Sequence, residues 1–295
     1  MDAYFKHKER IHMHMKYPFS LTPCLALFSL SLLAACGNSA QISEAEQKVI
    51  DHTLESLVFV EGGTFTMGHP QVTKTVEVTL DSYSIQAYEV SYWEFDTFAE
   101  ATGARKPSQR SFGKPSRQPE NPAWGLTWYD AQNYCHWLGE LTDLPFELPT
   151  EAQWEYAATS RGTSRAFYAT DDGTLDYGRN YPGSESPWHP EPSGTYPPNP
   201  LGMYDMTGNV AEWVLDWHDK NYYETSPGIN PQGPETGTTK IFRGGSVVGT
   251  QRYNILYRRS PGRKPDDKQF GVRCVVNQPK VIAFSSVKKE KKNSN

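Results

Sequence analysis

The segment Gly194–Trp217, GTYPPNPLGMYDMTGNVAEWVLDW, constrains this chain more than any other. It compresses a Pro-Pro-Asn-Pro turn, a Gly-Asn pair and three acceptor-bearing side chains, Asp205, Asn209 and Glu212, into a short span. A turn that exposes backbone carbonyls between carboxylates offers the oxygen ligands a hard cation such as calcium takes. The Trp and Tyr residues of the same span supply the large rings that bury a core around such a loop. The residues therefore read as a rigid, aromatic-braced loop with the chemistry of a calcium clamp.

The composition suits that loop. Twenty-three Gly and 22 Pro in 295 residues favour turns over long helices, and 13% aromatic residues can build a core from rings. A net charge of −5 gives no reason to expect a nucleic-acid partner. Residues 17–36, YPFSLTPCLALFSLSLLAAC, follow Lys16 and read as a secretory signal with a small-residue cleavage site. The Leu-Ala-Ala-Cys ending resembles a bacterial lipobox, which makes Cys36 the expected lipidation site; the alternative is an ordinary signal peptide that contains a Cys. Gly37 rather than Asp follows it, so outer-membrane sorting is expected, facing the periplasm or the surface. Met13 or Met15 is a better initiator than Met1. With Cys24 lost and Cys36 lipidated, Cys135 and Cys274 remain. An oxidising compartment suggests a disulfide between them, with two buried thiols as the alternative.

Four regions are expected: a signal at 1–36, a polar tether at 37–56 with room for a short helix, one domain at 57–279 and a charged, disordered tail at 280–295. Phe59–Met67 reads as a hairpin around Gly62-Gly63, and Val76, Val78 and Leu80 alternate as in a strand. Ser91 with Glu94 opens one helix, Thr127 with Asp130 a second, and Thr150 with Gln153 a third. In the second, Ala131, Tyr134, Cys135 and Leu138 share the inward stripe, and Gly139 is the expected stop. Lys106–Pro122 reads as loop. Glu151 and Glu155 read as buried partners of Arg residues rather than catalysts. Residues 241–243 and 270–276 read as strands.

Four stretches, in order, resemble the formylglycine-generating enzyme (sulfatase-modifying factor) family: FVEGGTFTMG at 59–68, LPTEAQWEYAA at 148–158, GMYDMTGNVAEW at 202–213, and FRGGS at 242–246 with FGVRC at 270–274. The resemblance implies an α+β, C-type-lectin-like fold of low regular secondary structure, with three short helices around small antiparallel sheets. It implies a disulfide at positions matching Cys135 and Cys274. Its calcium loop maps onto Asp205 and Glu212 by side chain and onto Gly208 and Val210 by carbonyl; the alternative is that the Gly-Asn pair is a tight turn and Glu212 a buried ion-pair partner. A second calcium site would begin near Asn180 and Tyr181.

The family's oxidase follows its Gly-Gly-Ser turn with two cysteines that bind copper and activate oxygen. Gly249 and Asn254 stand at those positions here. Soft thiolates select Cu(I), and neither residue supplies one, so no copper is expected. Val247 also replaces the usual aromatic residue. What remains is a polar, aromatic and basic rim: Ser246, Gln251, Arg252, Tyr253, Asn254 and Tyr257, with Arg258 and Arg259. Tyr and Arg are hot-spot types; the same residues could equally form a solvated loop. His136, His189 and His218 stand apart, in no zinc spacing.

The expected function is a cell-envelope lipoprotein, lipid-anchored to the membrane, whose domain binds or scaffolds a protein or peptide ligand. The alternatives are a periplasmic oxidoreductase of another type in the family, similar to those of siderophore maturation, and a regulator of an active sulfatase maturase.

Overall fold

Ser43, Ser91, Thr127 and Thr150 each accept a hydrogen bond from the backbone N–H three residues on, and Glu46, Glu94, Asp130 and Gln153 bond back to the cap. These four capping boxes open the helices α1 (Glu44–Glu55), α2 (Tyr92–Thr102), α3 (Trp128–Thr142) and α4 (Glu151–Ala158). A one-turn α5 spans Tyr222–Thr225. The computed structural model describes residues 42–107, 117–181, 189–247, 252, 254–259 and 261–282. Cys36, Gly249, Gln251 and Tyr253 lie outside the described residues, as does the tail beyond Ile282.

Strands β1 (Leu57–Val60), β4 (Tyr83–Gln86), β5 (Phe146–Glu147) and β8 (Val275–Val276) form one antiparallel sheet in the order β1-β4-β8-β5. Strands β2 (Gly63–Met67) and β3 (Val76–Leu80) make a second, and β6 (Glu212–Trp217) with β7 (Lys240–Arg243) a third. The apolar interior falls on both sides of the central strands. Val275 packs with β2, β3 and α4, whereas Cys274 and Val276 pack with the cluster of α1, α2 and α3. The two-residue period of extended chain produces that split. Cys135 on α3 and Cys274 form a disulfide, Cα–Cα 5.7 Å, between residues 139 apart in sequence. Closing so long a loop contributes roughly 4–5 kcal/mol in the chain-entropy picture.

The mixed helix and small-sheet architecture agrees with expectation, and α2, α3 and α4 are the three helices expected. Four details differ. Residues 44–55, read as a tether with room for a short helix, form the 12-residue α1, and its Val49, Ile50 and Leu54 are buried with α2 and α3 rather than standing free of the domain. Their stripe is sparse among polar residues, which hides it in the sequence. β1 and β2 do not pair with each other: β1 joins β4 and β2 joins β3. Gly62 permits the crossing, because a Cβ there would sit 2.4 Å from the carbonyl oxygen of Leu80. Gly139 does not stop α3, which continues to Thr142 and closes on Asp143 at φ 57°. A Cβ at Gly139 would approach the Leu144 carbonyl to 3.0 Å, so its role is packing. In 270–276 only Val275–Val276 is regular strand, and Phe270 and Gly271 make isolated bridges.

Candidate functional site

The loop 194–211 and the strand it feeds, β6, lie beside the chain at Arg273. Glu212, fully buried, receives a two-pronged contact from Arg273: Nε donates to Oε2 at 2.8 Å and Nη2 to Oε1 at 2.7 Å. Trp154 Nε1 donates to the same Oε2 at 2.9 Å. Arg273 also donates to the carbonyls of Ala87 and Tyr204, at 2.8 and 2.9 Å. One guanidinium thus ties β4, the loop and β6 together.

Two more carboxylates stand here, Glu89 buried and Asp205 half-buried. Glu89 accepts from Asn209 Nδ2 at 2.6 Å, from Ser193 Oγ at 3.0 Å and from the Val210 N–H at 2.9 Å. Asp205, held at φ 57°, accepts from the Gly194 N–H at 2.7 Å. Burial, reinforced by the charges of Asp205 and Glu212, holds the Glu89 carboxyl well above the usual carboxylate range. Burial also pushes Asp205 up to about 6. Three carboxylates therefore surround one guanidinium. Buried negative charge in such excess must take up protons or a cation.

That excess is the test of a calcium fit. Asp205 and Glu212 are oxygen-only donors, and the expected set adds the carbonyls of Gly208 and Val210, the ligand chemistry calcium prefers. The turn itself is built for close approach: Gly208 sits at φ 96°, and a Cβ there would strike the Tyr181 ring at 2.2 Å. Among the described residues no three His, Cys, Asp or Glu side chains are grouped to hold a metal. Glu212 stands as a buried ion-pair partner, both of its oxygens engaged by Arg273 and Trp154, and a calcium ion would have to share it with them. Sequence reasoning missed Glu89 and Arg273. A lone acid in the run SYSIQAYEV and a lone arginine in FGVRC are the signals that could have exposed a buried pair.

Asn254 is buried. Its Oδ1 accepts from the Ser246 N–H at 2.9 Å and its Nδ2 donates to the Tyr181 hydroxyl. A Cβ on Gly245, at φ 74°, would lie 2.2 Å from Asn254 Oδ1. The amide is thus a clasp that closes the Ser246–Asn254 loop. Tyr257 is likewise buried, its hydroxyl donating to the Ser164 carbonyl at 3.2 Å. These two of the expected rim residues face inward. Ser246 is half-buried and Arg252 is exposed.

Around the clasp stand tyrosines that sequence reasoning did not select. Tyr177, 44% exposed, meets Tyr181 edge-on at 5.5 Å between centroids. Tyr168 and Tyr196 are near enough to Tyr181 to act on its hydroxyl electrostatically. Arg179 braces this loop, contacting Asp171 at 2.6 Å, Asp172, and Asp176 at 2.9 Å. Asn180 adds bonds to Asp171 Oδ1 and the Thr174 carbonyl, 3.1 and 3.0 Å. The Asn180 amide is fully engaged within its own loop.

The sulfatase-modifying factor enzyme 1-like domain matches residues 41–278. The serine/threonine-protein kinase pkn1 of Chlamydia pneumoniae is 30% identical over 278 residues, covering 86% of this chain and 43% of that protein. The chain spans about two fifths of the length of this and the other chlamydial kinases it matches. The formylglycine-generating enzyme of Streptomyces coelicolor is 33% identical over 173 residues, 53% of each chain. Among solved structures, PvdO from Pseudomonas aeruginosa superposes with a TM-score of 0.65 at 26% identity, over 75% of this chain and 94% of that one.

Proposed function

The chain belongs to the sulfatase-modifying factor enzyme 1-like domain family, and from that premise we propose that it is a binding module of the bacterial cell envelope rather than a copper-dependent formylglycine-generating oxidase. The observation that carries this reading is Asn254. Where the oxidase needs a thiolate, this chain has a buried amide whose oxygen and nitrogen are both spent closing a loop. An amide so committed is no ligand for Cu(I). Gly249, at the other position, has no side chain at all.

The rim that the clasp supports has the residue types of a recognition surface. Tyr177 is a stiff, amphipathic anchor on a braced loop, and Arg252 is an exposed cation two residues before the clasp at Asn254. Rigid aromatic anchors lose little entropy on binding. The ligand is a protein or peptide. Calcium at Asp205, Glu212 and the carbonyls of Gly208 and Val210 would supply a divalent charge that offsets the buried carboxylates. Lipid on Cys36 would hold the domain at the outer membrane. No helix among the described residues is long and apolar enough to cross a membrane.

A second reading, an oxidoreductase of another type, draws support from the likeness to PvdO. One experiment separates the two. The purified chain is incubated with a Cys-containing sulfatase peptide and with envelope peptides, while oxygen uptake and peptide mass are followed beside binding. Binding without oxygen uptake or mass change supports the module. Conversion of the cysteine to its aldehyde sinks it, and a different oxygen-dependent mass change favours the second reading.

A further inference from the structure

We propose that α1 is a pH-sensitive latch, held more tightly against α2 through His52 and Glu94 while the imidazole is charged and opening more often when it is neutral. His52 Nδ1 lies 3.2 Å from Glu94 Oε1. Glu94 is buried, and its other oxygen is committed to the α2 cap, accepting from the Ser91 N–H at 2.8 Å and the Ser91 hydroxyl at 2.5 Å. The imidazole also meets the edge of Trp93 at 5.3 Å and stacks on Tyr88 at 6.5 Å. A carboxylate shut away from water gains most from a neighbouring cation, and here the cation belongs to the element that must stay docked.

The other charged and titratable groups have been placed. From α1 itself, Glu55 favours the imidazolium and Lys48 opposes it. From α2, Glu94 favours it. From α3, the Tyr134 hydroxyl faces Glu94. The hydrogen bond to Glu94 outweighs burial and raises the His52 pKa. The stabilisation is therefore complete below the unfolded imidazole value, about 6.5, and is lost as pH rises through the raised folded one. An isolated helix of 12 residues is marginal in water, so releasing α1 means unfolding it. Release uncovers Val49, Ile50 and Leu54 and lengthens the connection to residues upstream. The latch depends on neither the ligand nor the lipid anchor proposed above.

The test is native-state hydrogen exchange of the full chain from pH 5.5 to 8.5, corrected for the intrinsic rate. The opening constant of Val49–Leu54 is expected to rise about two- to fivefold across that window, the range of a partly exposed ion pair. Amides of Ala131–Leu138 in α3 serve as the internal reference and should show no step. His52→Gln and Glu94→Gln should each abolish the pH step, whatever they do to absolute protection, and Lys48→Met should keep it. A step that survives His52→Gln, or wild-type α1 protection that is flat with pH while α3 stays protected, overturns the proposal.

Discussion

Two buried ionic networks meet along β6 and β7, where Glu212 of the first stands across the ladder from Arg243 of the second, and they differ in how many cations each holds. In the first, Glu89, Asp205 and Glu212 share Arg273. In the second, Glu151, Glu155 and Asp216 are matched by Arg243, Arg259 and Lys240. Arg243 reaches Glu151 at 3.1 Å and Glu155 at 2.8 Å, Arg259 reaches Glu151 at 3.0 Å, and the Lys240 ammonium lies 3.9 Å from the ring centres of both Trp128 and Trp217. Three anions with three cations can be neutral and inert. Three anions with one cation leave a deficit that protons or a bound ion must fill. Both networks raise a buried carboxyl; what separates them is the number of cations at hand.

The strongest way to break this comparison is to remove the central cation from each. Arg273→Met and Arg243→Met should each cost about 3–5 kcal/mol, because each strands buried carboxylates. Urea unfolding with and without millimolar calcium then separates them. Calcium should recover part of the Arg273→Met loss and none of the Arg243→Met loss. Equal losses with no rescue of either would make the two networks the same kind of object.

A milder perturbation leaves the protein intact. If the deficit is filled by calcium, a chelator should lower the melting temperature, and restoring calcium to a hundred times its dissociation constant should return about 2.7 kcal/mol. Asp205→Ala should erase that response, and Glu155→Gln, in the balanced network, should keep it. A wild-type chain indifferent to the chelator would mean that protons fill the deficit.

How far these networks could be read from sequence depends on how local their signals are. The capping boxes at Ser91, Thr127 and Thr150 are three-residue patterns, and all three helices form where those patterns lie. Glu151 and Glu155 sit one turn apart on α4, and their burial with Arg partners was legible from that spacing. Glu89 and Arg273 are 184 positions apart by residue number, with nothing in either neighbourhood to name the other. The sparse stripe of α1 gave no helical signal strong enough to outweigh its polar composition. Asn254 shows the opposite failure. Its polarity suggested a surface ligand contact, but its amide is turned inward by Gly245, whose missing Cβ makes the room.

The balanced network has its own pH signature. Burial pushes Asp216 up to about 7, above its unfolded value near 3.8. A raised carboxyl favours the protonated fold, so this contribution is present at low pH and fades as pH rises through about 7. Burial lowers Lys240 to about 8, so its contribution is present above its unfolded value near 10.5 and is lost as pH falls through about 8. Stability should therefore decline between pH 5 and 8 by on the order of 1–2 kcal/mol through Asp216, and Asp216→Asn should flatten that slope in denaturant titrations at fixed salt. A slope unchanged in Asp216→Asn would assign it to another group, with His52 the next to test.

The smallest structural effect is expected at Arg252, and it carries the sharpest contrast with both networks. Arg252 is exposed, and surface substitutions away from caps and pairs usually stay within about 0.5 kcal/mol of wild type. Arg252→Ala should therefore leave unfolding unchanged while weakening capture of an envelope peptide by about tenfold, the loss of one charged hot-spot contact of about 1.4 kcal/mol. Tyr177→Ala should act the same way, because the Arg179 brace holds its loop independently of the ring. If either variant unfolds the chain, the rim is part of the scaffold, like the Asn254 clasp. If both keep full affinity, the ligand sits elsewhere. A split between affinity and stability at these two positions is what a binding surface laid over an inert scaffold requires, since neither side chain is buried and neither balances a buried charge.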